Sequence, residues 1–281
     1  MTLDSILPIL VVYKQNLRNS ISLNALSTHL DKTGIRIDLF VYDNSPALSE
    51  LASFKFKQFD VTYIHDPLNS GVSKAYNSGA RFGSTKNKEW IMLLDQDTGF
   101  PDDFMIKYQE ASIKNPEIKL FCPILTTQFG QIMSPCVYRH KQGQWVKQLN
   151  KGVYSLYSFS PVNSGMMINL KAFNKVGGYN ESVRLDFADF QFIERFKNSF
   201  KMFCLIDLVC HQEFSGFEKN IVTLKNRFVL FCEGARNCDR RVFSDNIWYL
   251  FAVLRRLIGL TLKTKKISFI PIFISVYLLK K

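Results

Sequence analysis

Short apolar runs alternate with helical patterns at the start of the chain. Ile9–Tyr13 is a β-branched run typical of a strand buried on both faces. The next apolar residues recur at roughly helical spacing: Leu17, Ile21, Leu26 and Leu30. Gly34 ends this helix, and Ile35–Tyr42 predicts a second strand that leads into the polar turn Asp43-Asn44-Ser45-Pro46.

The alternation continues through the first hundred residues. Val61–His65 predicts a third strand, Ser70–Phe82 a helix and Trp90–Leu94 a fourth strand. Alternating strands and helices imply a mostly parallel sheet, and such sheets bind ligands at the carboxyl ends of their strands. Asp43 and Asp95 follow two of these ends.

Beyond Pro101 the pattern is looser. It predicts a helix over Asp102–Lys114, a strand over Leu120–Leu125, a turn-rich stretch over Gln128–Gly152, helices over Leu170–Val176 and Phe187–Phe200, and a strand over Met202–Ile206. We expect the turn-rich stretch to supply loops around an acceptor. The prediction is an α/β domain over 1–216, with halves 1–100 and 101–216, followed by an amphipathic helical region over 217–281.

The last segment of the chain combines apolar and basic residues. Arg255 and Arg256 interrupt the run Ile247–Leu262, and Ile267–Leu279 has only 13 residues. Crossing a bilayer takes about 20 apolar residues, so we expect neither run to span one. We expect seven basic residues to meet an anionic membrane surface: Arg255, Arg256, Lys263, Lys265, Lys266, Lys280 and Lys281. The alternative is packing on the domain or on a second subunit, as in a homodimer.

Composition narrows the class of protein. With 281 residues, 47% of them hydrophobic, the chain can bury a large core, and its mean hydropathy of -0.03 excludes a polytopic membrane protein. The net charge is +12, and residues 217–281 hold 13 basic against 4 acidic side chains. A non-catalytic nucleic-acid-binding protein would also explain a basic tail, but acids rather than basic platforms follow the predicted strands.

Cysteine usage and the amino terminus indicate the compartment. The six cysteines include no Cys-x-x-Cys pair, so we expect buried, reduced thiols rather than a zinc site. The first residues have neither the basic region nor the cleavage site of a signal peptide. We therefore expect a cytoplasmic setting.

Two carboxylates one residue apart, Asp95 and Asp97, follow the strand Trp90–Leu94. Hard oxygen ligands at a rigid strand end suit Mg²⁺ or Mn²⁺, which combine a few carboxylates with substrate phosphate oxygens. An acidic turn or helix cap is an equally good interpretation of this short motif taken alone.

Small and polar residues open the helix after His65. Gly71 and Ser70 would allow a phosphate-bearing ligand to approach the helix amino terminus, and Lys74 could add charge. The alternative is a capped helix, with Asn69 or Ser70 as cap and Gly79 allowing tight packing.

The series as a whole resembles a known family. Its parts are Val11-Val12-Tyr13, Val41-Tyr42-Asp43-Asn44-Ser45, Asn69-x-Gly71-x5-Asn77-x-Gly79 and Leu93-Leu94-Asp95-Gln96-Asp97. In this order and spacing they resemble the family 2 glycosyltransferases of GT-A fold, and most closely the bacterial rhamnosyltransferases. The resemblance extends over Ile9 to His211 and implies a Rossmann-like mixed sheet flanked by helices.

The resemblance implies roles for individual residues. Asp43 would meet the nucleotide base, Asp97 would bind the metal, and Asp95 would lie at the ribose or the metal. Gln96 is the departure from the family pattern. Other residues implied to line the nucleotide-sugar site are Val12, Tyr13, Asn44, Asn69, Gly71, Lys74, Asn77 and Gln96, with Asn163, Ser164 and Gly165 at the acceptor or sugar pocket.

Three residues near the end of the resemblance carry further predictions. Asp186 and Asp189 form an Asp-x-x-Asp pair similar to that of the rhamnosyltransferases, which implies that Asp189 is the catalytic base and Asp186 its support. The alternative is a pair of helix-start acids that complement the dipole. His211 is implied as a further metal ligand or a diphosphate contact.

The resemblance implies an inverting transfer of a deoxyhexose, L-rhamnose from dTDP-rhamnose, to a hydroxyl of a polyprenyl-diphosphate-linked saccharide in surface polysaccharide synthesis. The alternative donors are a UDP-hexose and UDP-galactofuranose. The expected location is the inner face of the cytoplasmic membrane, without specific binding of nucleic acid.

Overall fold

The computed structural model describes residues 1–47, 57–212 and 220–279. Its strands are β1 (Ile6–Val12), β2 (Ile37–Asp43), β3 (Phe59–His65), β4 (Trp90–Asp95), β5 (Thr98–Gly99), β6 (Leu120–Thr127), β7 (Ile132–Arg139), β8 (Gln142–Val146), β9 (Gly152–Ser155), β10 (Met167–Asn169) and β11 (Met202–Gln212). Its helices are α1 (Ile21–Thr33), α2 (Val72–Thr85), α3 (Phe104–Lys114), α4 (Leu170–Lys175), α5 (Ala188–Phe196), α6 (Ile221–Asn237), α7 (Ser244–Thr264) and α8 (Ile270–Ile272), which continues as a π-helical segment over Phe273–Leu278.

The eleven described strands form one mixed sheet, in which eight follow the order β3-β2-β1-β4-β10-β6-β11-β5, while β7 and β8 extend from β6 and β9 pairs with β11. The first four are parallel, as the sequence predicts. The second half is mixed: β10 runs antiparallel to both β4 and β6, whereas β11 is parallel to β6. The predicted α/β class with a parallel amino-terminal half is confirmed.

Two hydrophobic cores cover the two faces of this sheet. Alternate residues of β1 contribute to each core, which explains why its whole run is apolar. Helices α1 and α3 pack on one face, through residues such as Leu26 and Tyr108. Helices α2, α4, α5, α6 and α7 contribute to the core of the other face.

The prediction of a turn-rich stretch over 128–152 is wrong in detail. It contains β7 and β8, which form an antiparallel hairpin attached to β6. The hairpin escapes a hydrophobic-pattern prediction because β8 is largely exposed and β7 does not alternate regularly between buried and exposed residues. The last strand is also longer than predicted, so His211 lies within β11.

The carboxyl-terminal helices share the core of the sheet. Phe228 of α6 and Tyr249 of α7 are fully buried in the same cluster as α2 and α5. The predicted boundary at 216/217 falls within 213–219, outside the described residues. Among the helices that the structure describes, none has the length and apolarity to cross a bilayer.

The outer side of α7 carries an apolar stripe. Five residues at helical spacing are more than half exposed: Phe243, Ile247, Phe251, Ile258 and Leu262. Arg255 is exposed and donates to the side-chain oxygen of Gln142. Arg256 differs from the prediction, because its guanidinium lies over the Phe231 ring, 4.6 Å from the centroid, with its Nε buried. It therefore faces the core rather than an external surface.

Candidate active site

The parallel strands bring two predicted carboxylates to one edge of the sheet. Val12 of β1 is in register with Asp43 of β2, and Val11 with Asp95 of β4. The two acids therefore flank the carboxyl end of β1. This is where an open α/β sheet binds ligands.

Asp43 is fully buried and held by its neighbours. Its Oδ1 accepts from the Ser45 N–H at 2.8 Å, and its Oδ2 accepts from the Tyr63 hydroxyl. Lys14 N–H donates to the Ser45 hydroxyl at 2.7 Å, which ties the loop after β1 to the loop after β2. Asp43 thus helps to order the loops after β1 and β2. These loops lie at the edge of the sheet where Asp43 was predicted to contact the nucleotide base.

Glycine is required at position 71 for a structural reason that the sequence does not reveal. Its φ is +94°, and a Cβ there would lie 2.1 Å from the carbonyl oxygen of Arg184. The Val72 N–H donates to that carbonyl at 2.8 Å, and the Gly71 N–H donates to Asn44 Oδ1 at 3.4 Å. The close approach predicted for a phosphate is made here by the protein's own backbone.

Asn77, Asn69 and Lys74 have contacts with residues other than Asp95 and Asp97. Asn77 donates to the Tyr179 carbonyl and accepts from the Tyr179 N–H, both at 2.9 Å, so it anchors the chain before α5. Asn69 adopts a left-handed conformation and donates from its N–H to Asp66. Lys74 lines an open cleft of about 490 Å³ between α2 and strands β2 and β3.

The Asp95-Gln96-Asp97 segment is bound from both halves of the sheet. Gln212 Nε2, at the end of β11, donates to Asp95 Oδ2 and Asp97 Oδ1 at 3.1 Å each. The Tyr76 hydroxyl of α2 donates to Asp95 Oδ1 at 3.0 Å. Gln212 was not predicted, and its only signal in the sequence is its place directly after His211.

Gln96, the departure from the family pattern, pairs with the backbone of Tyr13. The Tyr13 N–H donates to Gln96 Oε1 at 2.8 Å, and Gln96 Nε2 donates to the Tyr13 carbonyl at 3.2 Å. The amide therefore fixes the loop after β1 against the loop after β4. Tyr13 itself is 43% exposed, which leaves its ring accessible at this edge.

The donor set suits a hard divalent cation. Burial, followed by the negative charge of Asp97, raises the pKa of Asp95 to about 6. A cation between the two carboxylates would relieve this repulsion, and two carboxylates completed by diphosphate oxygens match the preferences of Mg²⁺ and Mn²⁺.

His211 does not join the two carboxylates. Its Nδ1 lies 2.7 Å from the Thr126 hydroxyl, and the ring is exposed. Within 1–47, 57–212 and 220–279, no three His, Cys, Asp or Glu side chains lie close enough to share an ion. The predicted set of Asp95, Asp97 and His211 is therefore not assembled in this structure.

Asn163, Ser164 and Gly165 brace the acidic segment from behind. The Asp95 N–H donates to the Ser164 hydroxyl at 3.3 Å, and that hydroxyl lies 2.7 Å from Thr98 Oγ1. The Gly165 N–H donates to the Leu93 carbonyl at 2.8 Å. Asn163 Oδ1 accepts from the Tyr179 hydroxyl at 2.7 Å.

Asp189 lies at the start of α5 and shares the electrostatic field of the acidic edge. Its Oδ1 accepts from the Phe190 N–H at 2.8 Å. Burial raises the pKa of Asp189 to about 7; the Phe190 N–H opposes this shift, and the charges of Asp186 and Asp95 reinforce it. A carboxylate with a pKa near neutrality is suited to accept a proton.

Asp186 has a different environment. Its two oxygens accept from Nε and a terminal nitrogen of Arg227, at 3.1 and 3.2 Å. It is therefore an ion-paired group, whereas Asp189 has no ion pair with a cation among the described residues. The structure brings Asp95, Asp97 and Asp189 into one electrostatic neighbourhood, with Asp186 beside it.

Comparison with known proteins identifies the family and the fold. The profile of glycosyl transferase family 2 matches residues 12–154. The dTDP-rhamnosyl transferase RfbF of Shigella flexneri is 27% identical over 199 residues, which are 69% of this chain and 64% of that protein. The match thus spans less than two thirds of that relative.

Solved structures of TarS from S. aureus share the fold. One, of TarS 1-349, has a TM-score of 0.55 at 13% identity and covers 95% of this chain and 77% of its own. Its complex with UDP-GlcNAc has a TM-score of 0.58 at 14% identity, covering 96% and 78%. The mixed α/β sheet with flanking helices is therefore like that of a GT-A glycosyltransferase. The chain belongs to glycosyl transferase family 2, and within it resembles the rhamnosyltransferases.

Proposed function

We propose that the protein is an inverting glycosyltransferase that transfers L-rhamnose from dTDP-rhamnose to a hydroxyl of a lipid-linked saccharide. The observation that carries the proposal is the placement of Asp95 and Asp97 at the carboxyl end of β4, where Gln212 bridges them, together with a buried Asp189 whose charge interacts with that of Asp95. The relative from Shigella flexneri, named as a dTDP-rhamnosyl transferase, supports the choice of donor.

The reaction requires that an acceptor hydroxyl lose its proton as it attacks the anomeric carbon. Asp189 is the group suited to take this proton, because its raised pKa keeps a useful affinity for protons near neutrality. The bond from the anomeric carbon to the donor phosphate oxygen breaks as the new glycosidic bond forms on the opposite face, which inverts the configuration.

The leaving nucleoside diphosphate carries the developing negative charge. Mg²⁺ or Mn²⁺ held by Asp95 and Asp97 would neutralise that charge. Gln212 orients the same two carboxylates through one amide, and Tyr76 fixes the remaining oxygen of Asp95. These contacts keep the acidic pair in place before the donor binds.

A donor-preference assay tests the proposal. Release of the nucleoside diphosphate is measured for dTDP-rhamnose, UDP-hexoses and UDP-galactofuranose, with and without a chelator. We expect turnover of dTDP-rhamnose that Mg²⁺ or Mn²⁺ restores after chelation, and little restoration in Asp97→Asn. Strict preference for a UDP-sugar would refute the rhamnose assignment, and full activity in excess chelator would refute the metal.

We also propose that the outer stripe of α7 lies on the anionic inner face of the cytoplasmic membrane. The exposed apolar residues would enter the interface, while nearby basic residues such as Arg255 and Lys266 would meet the headgroups. An enzyme held there would reach an acceptor on a polyprenyl diphosphate carrier. A homodimer through the same stripe is the competing outcome.

Vesicle co-sedimentation separates these outcomes. We expect binding to vesicles that contain phosphatidylglycerol, and loss of binding in the variant with Phe243→Ser and Leu262→Ser. The matched control is Leu68→Ser with Ile113→Ser, which removes two equally exposed apolar side chains elsewhere. A concentration-dependent dimer that the α7 variant abolishes, with no vesicle binding, would refute the membrane contact.

A further inference from the structure

The turn before α5 is enclosed by the carboxyl-terminal helices. The residues of this turn are Asp186 and Phe187, and they directly precede the helix that begins with Ala188. Helices α6 and α7 contact the turn through its side chains and its backbone. The region that the sequence assigns to membrane binding therefore also packs against the turn that leads to Asp189.

The first contact is ionic. Nε and a terminal nitrogen of the Arg227 guanidinium donate to separate oxygens of Asp186, so the pair has the two-point geometry that fixes a carboxylate in orientation. The Asp186 side chain is only 14% exposed, whereas that of Arg227 is 37% exposed. The contact thus holds a largely buried acid from the solvent side.

The second contact is steric. Gly234, two turns along α6 from Arg227, lies so close to the turn that a Cβ would be 2.6 Å from the Asp186 carbonyl oxygen. The α6 backbone therefore rests directly on the backbone of the turn. This contact fixes the height of the turn above α6, while Arg227 fixes its side chain.

The third contact concerns an unfavourable backbone conformation. Phe187 has a φ of +69°, which a residue with a bulky side chain rarely adopts and which surrounding structure must impose. Its ring packs against Phe231 of α6 and Tyr249 of α7, with centroids 4.7 and 5.5 Å apart. Helices α6 and α7 therefore hold the side chain of Phe187, the residue at which the backbone turns into α5.

We infer that Arg227 is a positioning residue for the transfer reaction, which it serves by holding Asp186 so that α5 presents Asp189 to the acceptor. The inference rests on the proposed function, since it concerns the base of that reaction. Removing Arg227 leaves a largely buried carboxylate without this partner, so we expect some loss of folding stability as well as a change in the geometry of the turn. Misplacement of a catalytic group by about 1 Å can lower a rate about 10²-fold.

Steady-state kinetics of Arg227→Gln and Arg227→Lys test the inference. We expect Arg227→Gln to lower kcat by about 10- to 100-fold. The KM for the sugar nucleotide should stay unchanged, because the carboxylates proposed to bind the donor lie at the ends of β2 and β4, away from the turn that Arg227 holds. Lysine keeps the charge but not the two-point contact, so Arg227→Lys should recover part of kcat. The double variant of Asp186→Asn with Arg227→Gln should be no slower than the slower single variant, because both changes break one contact.

The matched control is Arg241→Gln. It removes the same charge from the same region, at an exposed side chain that donates to Asn198. We expect wild-type kcat in this variant, and kinetics are compared at a temperature at which thermal unfolding shows both Gln variants to be folded. An active wild type with equal kcat in Arg227→Gln and Arg241→Gln would refute the positioning role alone. A wild type that transfers no sugar from any donor would refute the proposed function and, with it, this role.

Discussion

The two halves of the sheet build their parts of the site in different ways. In the amino-terminal half, Asp43 and Asp95 lie at the ends of parallel strands, so the strand register alone brings them together. In the carboxyl-terminal half, Asp189 lies beyond a left-handed turn that α6 and α7 enclose. The first half therefore depends on local pattern, and the second depends on contacts between segments far apart in sequence.

The largest expected effect tests the role of Asp189, the proposed base that the carboxyl-terminal half supplies. Asp189→Asn should lower kcat about 10³-fold, because an amide cannot accept the proton of the acceptor hydroxyl. The matched control, Asp207→Asn, alters an exposed acid paired with Lys151 and should leave kcat unchanged. Rates measured with saturating donor check this. Substantial residual activity in Asp189→Asn would place the base elsewhere.

The next effect tests the joint between the halves, where Gly71 meets Arg184. Gly71→Ala should destabilise the fold by about 2 kcal/mol or more, because its Cβ would overlap the Arg184 carbonyl and its φ is positive. Gly34→Ala is the control: φ is +67° there, but the space is open, so about 1 kcal/mol is expected. Urea unfolding compares the two, and equal losses would mean that the joint relaxes at no cost.

A smaller effect is the pH dependence that the second half confers. Since burial raises the pKa of Asp189 to about 7, the fraction of the active carboxylate form falls as the pH falls below that value. We expect kcat/KM to drop about tenfold per pH unit below neutrality and to level off above it. A profile that stays level down to pH values near an ordinary aspartate pKa would contradict this assignment.

The smallest effect concerns a glycine that, unlike Gly71, does not pack against another segment. Gly259 lies inside α7, with nothing within 4 Å of a Cβ position and without a positive φ. Gly259→Ala should therefore stabilise the fold by at most about 1 kcal/mol. Thermal unfolding checks the direction. A decrease in stability would show that α7 is packed more tightly on this side than its contacts indicate.

Much of the first half could be predicted from the sequence. The strand-helix alternation, the end of α1 at Gly34 and the acids after β2 and β4 follow from local periodicity and turn chemistry, and the structure confirms them. The pattern could not show what each polar residue contacts. The sequence suggested ligand contacts for Gly71 and Asn77, yet Gly71 meets the Arg184 carbonyl and Asn77 binds the Tyr179 backbone.

The second half was less predictable for a physical reason. Gln212 bridges Asp95 and Asp97 from a strand more than a hundred residues later, so no local sequence spacing predicts this contact. Likewise, Arg227 could not be connected to Asp186 from sequence, because basic residues in an apolar tail also suit a lipid surface. Pairings that depend on tertiary packing leave no periodic signal.

The six cysteines provide a chemical reporter of how the carboxyl-terminal helices pack on the sheet. All are free and buried, and burial raises the pKa of each thiol, so alkylating reagents should react only after local or global opening. Cys232 and Cys238 lie on or beside α6, whereas Cys122 and Cys210 lie within the sheet. Faster labelling of the first pair than of the second would reveal the helices detaching while the strands stay folded. Labelling of the native cysteines can therefore report how stably the carboxyl-terminal helices pack on the sheet, without any engineered probe.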